Sequence, residues 1–397
     1  MSDDLGWGEV GLYPSDSPHG RIATPHLDQF GREGMVFRHA YAGYTVCAPS
    51  RMSFFTGRHA GTFWSAGING MSLKAKQLVN RTLGPVLRGA GYTTGLFGKS
   101  SPLESPERQG FDKFVGQVSQ ELCHNMYPRY IDQGDAQLNF NLTGNFKPKS
   151  RELCMASPEL YNYTVDVFHA SAMEWFEEAV RGPRPVFLYL GYTVPHGGGW
   201  ADAPASPMPA HPVPSDLQYA QEPWPPKEKD HAAMITYLDL KIGDLMQRIK
   251  LMGVDSSTVV FFASDNGGHK ESGHHPDFFD SNGGLRGFKR SLFEGGVRSP
   301  TMARWPGVIP LGTTSDFQWI LGRAADARGP RWRPGAAGPR RPQLGADSVR
   351  RAPRGARLPL LDLGGHRHPA DAVGVHRGPG VAASSQRAVL PCASGPF

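Results

Sequence analysis

Continuous apolar segments that alternate with helical patterns constrain the fold of this chain more than any other feature of its sequence. Residues 186–190 and 258–263 are short runs of this kind, as expected of strands buried on both faces. A third strand is predicted over residues 92–97, and apolar residues have helical spacing over residues 24–33, 83–89, 165–181 and 227–252. This alternation predicts an α/β fold in which one large, mostly parallel (mixed) sheet is sandwiched between helices.

The positive charge of the chain is concentrated near its end. The 397 residues carry a formal net charge of +6, but from Leu321 onward there are 13 Arg and 4 Asp with no Lys or Glu, while residues 1–320 carry −3. The body of the chain therefore gives no reason to expect a nucleic acid partner. After about residue 315 the sequence is rich in Arg, Gly, Pro and Ala and loses its apolar periodicity. We predict a folded domain over residues 1–315 and a tail over residues 316–397 that is either disordered or frame-shifted.

The sequence features that bear on the location of the protein point in different directions. The sequence has no apolar run of about 18 residues that could span a membrane, and no secretory signal pattern precedes Asp3. Three glycosylation acceptor patterns, N-x-[ST], begin at Asn80, Asn141 and Asn162 and favour a secretory route.

The segment of residues 47–57, C-A-P-S-R-M-S-F-F-T-G, carries a cysteine whose surroundings suggest modification rather than packing. A cysteine near Pro and Ser is otherwise a small buried apolar residue or half of a disulfide. The pattern C-x-P-S-R-x-x-x-x-T-G resembles the signature of the formylglycine-dependent sulfatases, of the arylsulfatase type within the alkaline-phosphatase-like superfamily. In that family the cysteine is oxidised to an aldehyde whose hydrate attacks sulfate esters. With Cys47 modified, Cys123 and Cys154 either form a disulfide or both stay free.

Further segments resemble motifs of the same family, in the family's order, over residues 3–309. That order is more specific than any single match. Residues 3–8 (D-D-L-G-W-G) resemble the first metal motif and residues 264–267 (S-D-N-G) the second. Residues 98–99 (G-K), 192–196 (Y-T-V-P-H) and 285–289 (L-R-G-F-K) resemble the segments that carry the family's sulfate-binding and leaving-group residues.

The resemblance implies a role for each matched residue. One calcium ion would be bound by hard oxygen ligands together with the modified cysteine; these ligands are Asp3, Asp4, Cys47, Asp265 and Asn266. Arg51 would orient the formylglycine hydrate. Lys99, Lys289 and His196 would hold the sulfate, and His196 would donate a proton to the leaving oxygen. Taken singly, Asp-Asn-Gly is a common turn, an exposed lysine is usually solvated and a lone histidine is usually structural.

Departures from the family pattern concern one histidine and both ends of the chain. Many members continue Gly-Lys as G-K-W-H, with a histidine thought to help expel sulfate from a covalent intermediate, whereas this chain has Ser100-Ser101. Residues 123–128 (C-H-N-M-Y-P) resemble the A-H-N-Y-Y-P segment of a branch that also lacks it, so we predict that His124 takes this role. The apolar strand before the paired aspartates is expected to be truncated, and the family's small C-terminal α+β domain is not recognisable beyond about residue 315.

These observations together predict a sulfuric ester hydrolase that acts on aryl or carbohydrate sulfates. Its partners would be a sulfated small molecule or glycan and a formylglycine-generating enzyme, and its expected location is lysosomal or extracellular. Two other interpretations remain open at this point. The chain could hydrolyse phosphate or phosphonate monoesters with the same machinery, or it could be a truncated, non-catalytic remnant.

Overall fold

The computed structural model describes residues 1–62, 82–120, 122–128, 130–134, 136–139, 162–198, 211–316 and 319–320. All of them belong to a compact unit that spans Met1–Arg328. A second unit, Gly329–Phe397, and therefore nearly all of the predicted tail, lies outside the described residues, as do Asn80, Asn141 and Cys154. Within the described part of the chain, no helix is both long and apolar enough to span a bilayer.

Six α-helices are described, and four of them correspond to the predicted helices with ends that differ by at most two residues. The helices are α1 (Pro25–Arg32), α2 (Cys47–Thr56), α3 (Leu83–Gly89), α4 (Thr164–Ala179), α5 (Pro226–Leu251) and α6 (Glu294–Val297). The long helix α5 also fixes the start of α1, because the Asp239 carboxylate accepts the backbone N–H groups of His26 at 3.1 Å and Leu27 at 2.7 Å.

The strands form two main sheets and one short pair. The strands are β1 (Met35–Phe37), β2 (Ala40–Tyr41), β3 (Thr93–Lys99), β4 (Lys113–Gln117), β5 (Tyr130–Gln133), β6 (Ala136–Asn139), β7 (Val186–Gly191), β8 (Val260–Ala263), β9 (Thr301–Arg304), β10 (Thr313–Ser315) and β11 (Trp319–Ile320). One sheet has the order β6-β5-β4-β3-β7, the other β10-β1-β9-β8, and β11 pairs with β2.

Residues 1–3 connect the two main sheets by lying between β7 and β8. On one side the Ser2 N–H donates to Ala263 O at 2.9 Å. On the other side the Tyr192 N–H donates to Met1 O at 2.9 Å and the Asp3 N–H to Val194 O at 3.2 Å. Both contacts are parallel bridges. This three-residue extended segment therefore brings the start of the chain to the carboxyl ends of β7 and β8.

Strand directions confirm the predicted mixed character of the sheet but not that it is mostly parallel. Among the described strands, β4, β3 and β7 form a parallel block, β1 is parallel to β10, and the short pair β2 and β11 is parallel as well. The outer strands β5 and β6 are antiparallel because two residues between them allow only a hairpin connection. Strands β8 and β9, and β9 and β1, are antiparallel as well. The sheets are thus mixed, with the parallel block at the centre of one of them.

Both faces of the parallel block are buried, as predicted. Side chains alternate across a strand, so Phe97 and Leu96 of β3 point to opposite faces. Phe97 belongs to a core cluster that includes Phe168 of α4. Leu96 belongs to a separate cluster that includes Phe55 of α2. Helices therefore cover the sheet on both sides.

Glycines meet where the parallel strands end. Gly98 of β3 is in register with Gly116 of β4 and with Gly191 of β7. A Cβ atom at Gly116 would lie 1.9 Å from Gly98 O, and Gly98 has a φ of +91°. The close backbone approach at this edge therefore requires the absence of a side chain.

We predict that Gly116→Ala lowers the free energy of unfolding by about 1–3 kcal/mol, because the added methyl group collides with backbone that cannot move aside. The matched control is Gly89→Ala at the end of α3, where an added Cβ has open space. That control should be neutral or stabilising. Chemical denaturation measures both, and equal effects of the two substitutions would contradict this account of the strand ends.

Candidate active site

Helix α2 carries most of the cysteine motif of residues 47–57. Cys47 is its first residue, and Arg51 follows one turn later, so the two side chains lie on the same face of the helix. The Thr56 hydroxyl donates to Met52 O at 2.6 Å, and Gly57, with a φ of +65°, ends the helix in the left-handed conformation. The spacing of the motif thus places a buried cysteine at a helix N-terminus with an arginine beside it.

Four oxygen-bearing side chains gather where residues 1–3 pass β8. Asp3, Asp4, Asp265 and Asn266 are all 0% exposed. The Asp4 N–H donates to Asp265 Oδ1 at 3.1 Å, and Asn266 Nδ2 donates to Asp4 Oδ1 at 2.8 Å. Two acceptors of this group, Asp3 Oδ1 and Asn266 Oδ1, are buried without a hydrogen bond. One ligand atom each from Asp3, Cys47 and Asp265 lie within 4.8 Å of one another.

Arg51 is the central cation of the site and is fully buried. Its Nε donates to Asp265 Oδ2 at 2.8 Å, and its NH2 lies 3.5 Å from Asp3 Oδ1. The rest of the guanidinium donates to the Tyr189 hydroxyl at 3.1 Å and to Ser2 O at 3.2 Å. The planar guanidinium group is therefore bonded at once to the N-terminal segment, to Asp265 after β8 and to Tyr189 of β7.

Two buried lysines neutralise the paired aspartates. Lys99 Nζ lies 2.8 Å from Asp3 Oδ2, and Lys289 Nζ lies 2.7 Å from Asp4 Oδ2. Burial acts to raise the pKa of Asp3, but Lys99 and Arg51 outweigh it and hold that pKa well below its usual range. Burial and the nearby Asp3 carboxylate raise the pKa of Asp265 to about 7.

His196 faces the second lysine. Its Nδ1–H donates to Gly197 O at 2.5 Å, so Nε2 accepts from Lys289 Nζ at 3.0 Å. The same Nε2 lies 3.4 Å from Asp4 Oδ2 and 3.1 Å from Glu271 Oε2. A proton on Nε2 would thus have two carboxylate acceptors within reach.

His124 lies against His196. The two rings are stacked with centroids 3.6 Å apart and planes within 9° of parallel. His124 Nε2 is 3.3 Å from Lys99 Nζ. Burial, and next the neighbouring His196 and Lys99, lower the pKa of His124 well below its usual value, so its imidazole is neutral.

Sequence reasoning missed two residues of the site, Gln120 and Glu271. Gln120 Nε2 donates to Cys47 Sγ at 3.2 Å, and its Oε1 accepts from the Ser101 hydroxyl at 2.7 Å. Glu271 Oε2 accepts from Lys289 Nζ at 3.0 Å. The only feature of the sequence that indicates Gln120 as a site residue is its position four residues before His124.

Cys123 is a free, buried cysteine whose thiol donates to Gln120 O at 3.0 Å, as in the second of the two alternatives given for it. Its other candidate partner, Cys154, lies outside the described residues. Burial raises its pKa to about 12, so it remains a thiol.

The structure brings every predicted site residue into one connected network. Its members are Asp3, Asp4, Cys47, Arg51, Lys99, His124, His196, Asp265, Asn266 and Lys289. With Glu271 the network holds four carboxylates, which Arg51, Lys99 and Lys289, together with Arg290 paired to Glu271, balance in number. Within the described part of the chain, the buried acceptors Asp3 Oδ1 and Asn266 Oδ1 have no hydrogen bond, and these free acceptors fit a hard divalent cation.

The chain resembles known proteins in sequence. The family model described as Sulfatase matches residues 1–317. The chain is 27% identical to N-acetylgalactosamine-6-sulfatase of Canis lupus familiaris over 79% of its length and 58% of that protein. It is 29% identical to arylsulfatase A of Bos taurus over 80% of its length and 60% of that protein. It thus spans less than two thirds of the curated relatives that it matches.

Solved structures share the fold. The crystal structure of Ps i-CgsB in complex with k-i-k-neocarrahexaose superposes with a TM-score of 0.63 at 23% identity, over 82% of this chain and 69% of that chain. The two proteins are therefore similar in fold.

We predict that Arg51→Met lowers the free energy of unfolding by about 3–5 kcal/mol, because it leaves two buried carboxylates without their shared cation. The matched control is Arg88→Met, since the Arg88 side chain is 57% exposed and pairs with Asp112 at 3.5 Å. Removal of that pair should cost less than about 1 kcal/mol. Denaturant titration of both variants measures the difference, and a small effect at Arg51 would contradict its central position.

Proposed function

The chain belongs to the sulfatase family, and from that premise we propose that it hydrolyses sulfate monoesters of sugars or phenols. The observation that carries the proposal is the ring of buried cations and carboxylates around Cys47. The names of two relatives support the substrate class, since one is an N-acetylgalactosamine-6-sulfatase and another an arylsulfatase.

Cys47 acts, in this proposal, after conversion to formylglycine by a formylglycine-generating enzyme. Burial raises the pKa of the unmodified Cys47 thiol, so little thiolate is present near neutral pH. An aldehyde hydrate offers an oxygen nucleophile in place of that weak sulfur nucleophile. The N-terminus of α2 and the Arg51 guanidinium would stabilise negative charge on it.

Asp3, Asp4, Asp265 and Asn266, together with residue 47, would hold one calcium ion. Their oxygens are the hard ligands that calcium prefers, and Asp3 Oδ1 and Asn266 Oδ1, which have no hydrogen bond among the described residues, fit this role. When bound, the ion would offset the repulsion of the carboxylates and acidify the hydrate oxygen. The raised pKa of Asp265 near 7 is consistent with a carboxylate that lacks a full complement of positive charge.

Lys99 and Lys289 would bind the oxygens of the sulfate group. Each is buried and already ion-paired, so both lie at fixed positions and need no reorganisation when negative charge develops. His196 Nε2, which lies 3.0 Å from Lys289 Nζ, would protonate the leaving oxygen. The Asp4 and Glu271 carboxylates lie 3.4 Å and 3.1 Å from Nε2 and would help to orient the ring.

His124 would serve as the base for release of sulfate, in place of the histidine that Ser101 replaces. Its ring stacks on His196, lies 3.3 Å from Lys99 and is neutral because burial and these neighbours lower its pKa, and neutral imidazole is the form from which a base must start. A lysosomal or extracellular location belongs to the same proposal, because the resemblance implies that the cysteine is modified along the secretory route.

The first test of this function is chemical. After expression with a formylglycine-generating enzyme, we expect mass spectrometry of the Cys47 peptide to show the aldehyde and the protein to hydrolyse nitrophenyl sulfate. Cys47→Ala should lower kcat/KM at least about a thousandfold because the nucleophile is lost.

The matched control is Cys123→Ser, which keeps a donor for Gln120 O and should retain activity. Nitrophenyl phosphate is the comparison substrate. An ordinary thiol at position 47 in an active preparation, or a preference for phosphate, would rule the proposal out.

The second test concerns His124. We predict that His124→Ala lowers kcat by about 10²–10⁴-fold through slower release of sulfate, the usual contribution of a positioned base. A burst of nitrophenol in rapid-mixing kinetics should appear in this variant, because cleavage of the ester precedes the impaired step. The exposed His19 provides the control substitution, His19→Ala. An undiminished rate in His124→Ala would remove His124 from the mechanism.

A further inference from the structure

A second group of titratable side chains lies beyond His196. His211, His231, His269 and His274 pack against one another, and each is at most 2% exposed. We call these four residues the histidine cluster. The centroids of His211, His231 and His269 are separated by 5.4–5.6 Å. None of the roles proposed above uses this cluster.

Two members of the histidine cluster have ordinary hydrogen bonds. His269 Nδ1 accepts the Glu271 N–H at 3.0 Å, and its Nε2–H donates to Pro195 O at 3.2 Å. His274 Nδ1 bonds to Glu228 Oε2 at 2.6 Å. These bonds fix the two rings in place.

The other two members carry unsatisfied nitrogens. Among the residues that the structure describes, neither ring nitrogen of His211 has a hydrogen-bond partner, and His231 Nδ1 has none either. Buried polar atoms without partners are rare in folded proteins and call for an explanation. Burial, and next the neighbouring His231 and His274, lower the pKa of His211 well below its usual value, so its ring keeps a free lone pair.

His231 has the hydrogen-bond pattern of a metal ligand. Its Nε2–H donates to Glu9 Oε1 at 2.6 Å, and Glu9 is itself held by the Gly6 N–H at 2.6 Å. Metal-ligating histidines usually donate the remote N–H to a carboxylate in this way, which orients the other nitrogen toward the ion. In His231 that other nitrogen is the unpaired Nδ1.

We propose that His211, His231 and His269 form a second metal site that binds a zinc-like transition metal ion. One nitrogen from each ring lies within 4.8 Å of the others, so small movements would bring all three to an ion. His269 would exchange one of its two hydrogen bonds for the metal. Neutral imidazoles favour zinc and its neighbours over calcium, which distinguishes this site from the oxygen-rich group at Asp3.

The test measures metal content rather than activity. The full chain is stripped with a chelator, dialysed against Zn²⁺ and analysed by mass spectrometry of bound metal. We expect about one tightly bound zinc ion per chain, as for a site with three imidazole ligands and an open fourth position. His211→Ala should weaken zinc binding at least about tenfold. The His211 side chain has no hydrogen bond to lose, so circular dichroism of this variant should match the wild type.

Two controls separate this site from its surroundings. His275→Ala changes a neighbouring histidine whose side chain is 71% exposed and should leave zinc binding unchanged. His19→Ala changes another exposed histidine and should also leave it unchanged. X-ray absorption of the zinc-loaded wild type should show imidazole ligands, and this readout needs no variant. Absence of stoichiometric zinc, zinc retained by a folded His211→Ala, or a carboxylate-only ligand shell would each overturn the proposal.

Discussion

The buried ion network around Arg51 is the interaction on which the rest of the structure depends. Three aspartates that lie out of contact with water cannot coexist unless cations accompany them. Arg51 pairs with Asp265 and Asp3 at once, and its remaining N–H groups bind Tyr189 and Ser2 O. The charges that make the site chemically useful therefore also join the elements that carry it. The same few contacts therefore stabilise the fold and form the site.

The position of residues 1–3 explains how these charges converge. The segment lies between the ends of β7 and β8 and is bonded to both, so one sheet continues into the other. Asp3 and Asp4 then emerge beside Asp265 at the carboxyl edge, and Lys99 at the end of β3 reaches the same point. Ligand sites of α/β sheets lie at such edges because the loops there face one another.

Local sequence patterns predicted much of this arrangement. Apolar runs identified β7 and β8, and helical spacing located α4 and α5 to within two residues. The motifs located all ten predicted site residues, which the structure brings into one network; Asp265 and Asn266 follow β8 closely and Cys47 begins α2, whereas Lys289 lies in a turn and was found from its motif alone. The antiparallel outer strands were not predicted, since strand direction depends on connections that apolar patterns do not encode.

Contacts between distant segments explain what the sequence did not reveal. Glu271 reaches Lys289 and His196 because the loop after β8 folds back over the site. Gln120 meets Cys47 across 73 positions of chain. Neither residue belongs to a strand end or a motif, so no periodicity marks it. Such residues meet their partners only in the folded structure.

The orientation of the His196 ring is fixed by ring packing as well as by hydrogen bonds. Its ring lies parallel to that of His124 at 3.6 Å on one side and near that of His269 at 6.1 Å on another. His269 in turn is fixed by the Pro195 carbonyl and the Glu271 N–H. The neighbouring rings restrict rotation of His196, while Nδ1 is held by Gly197 O. Nε2 is thereby the one ring nitrogen directed at the carboxylates and Lys289, where a proton could be gained or given up.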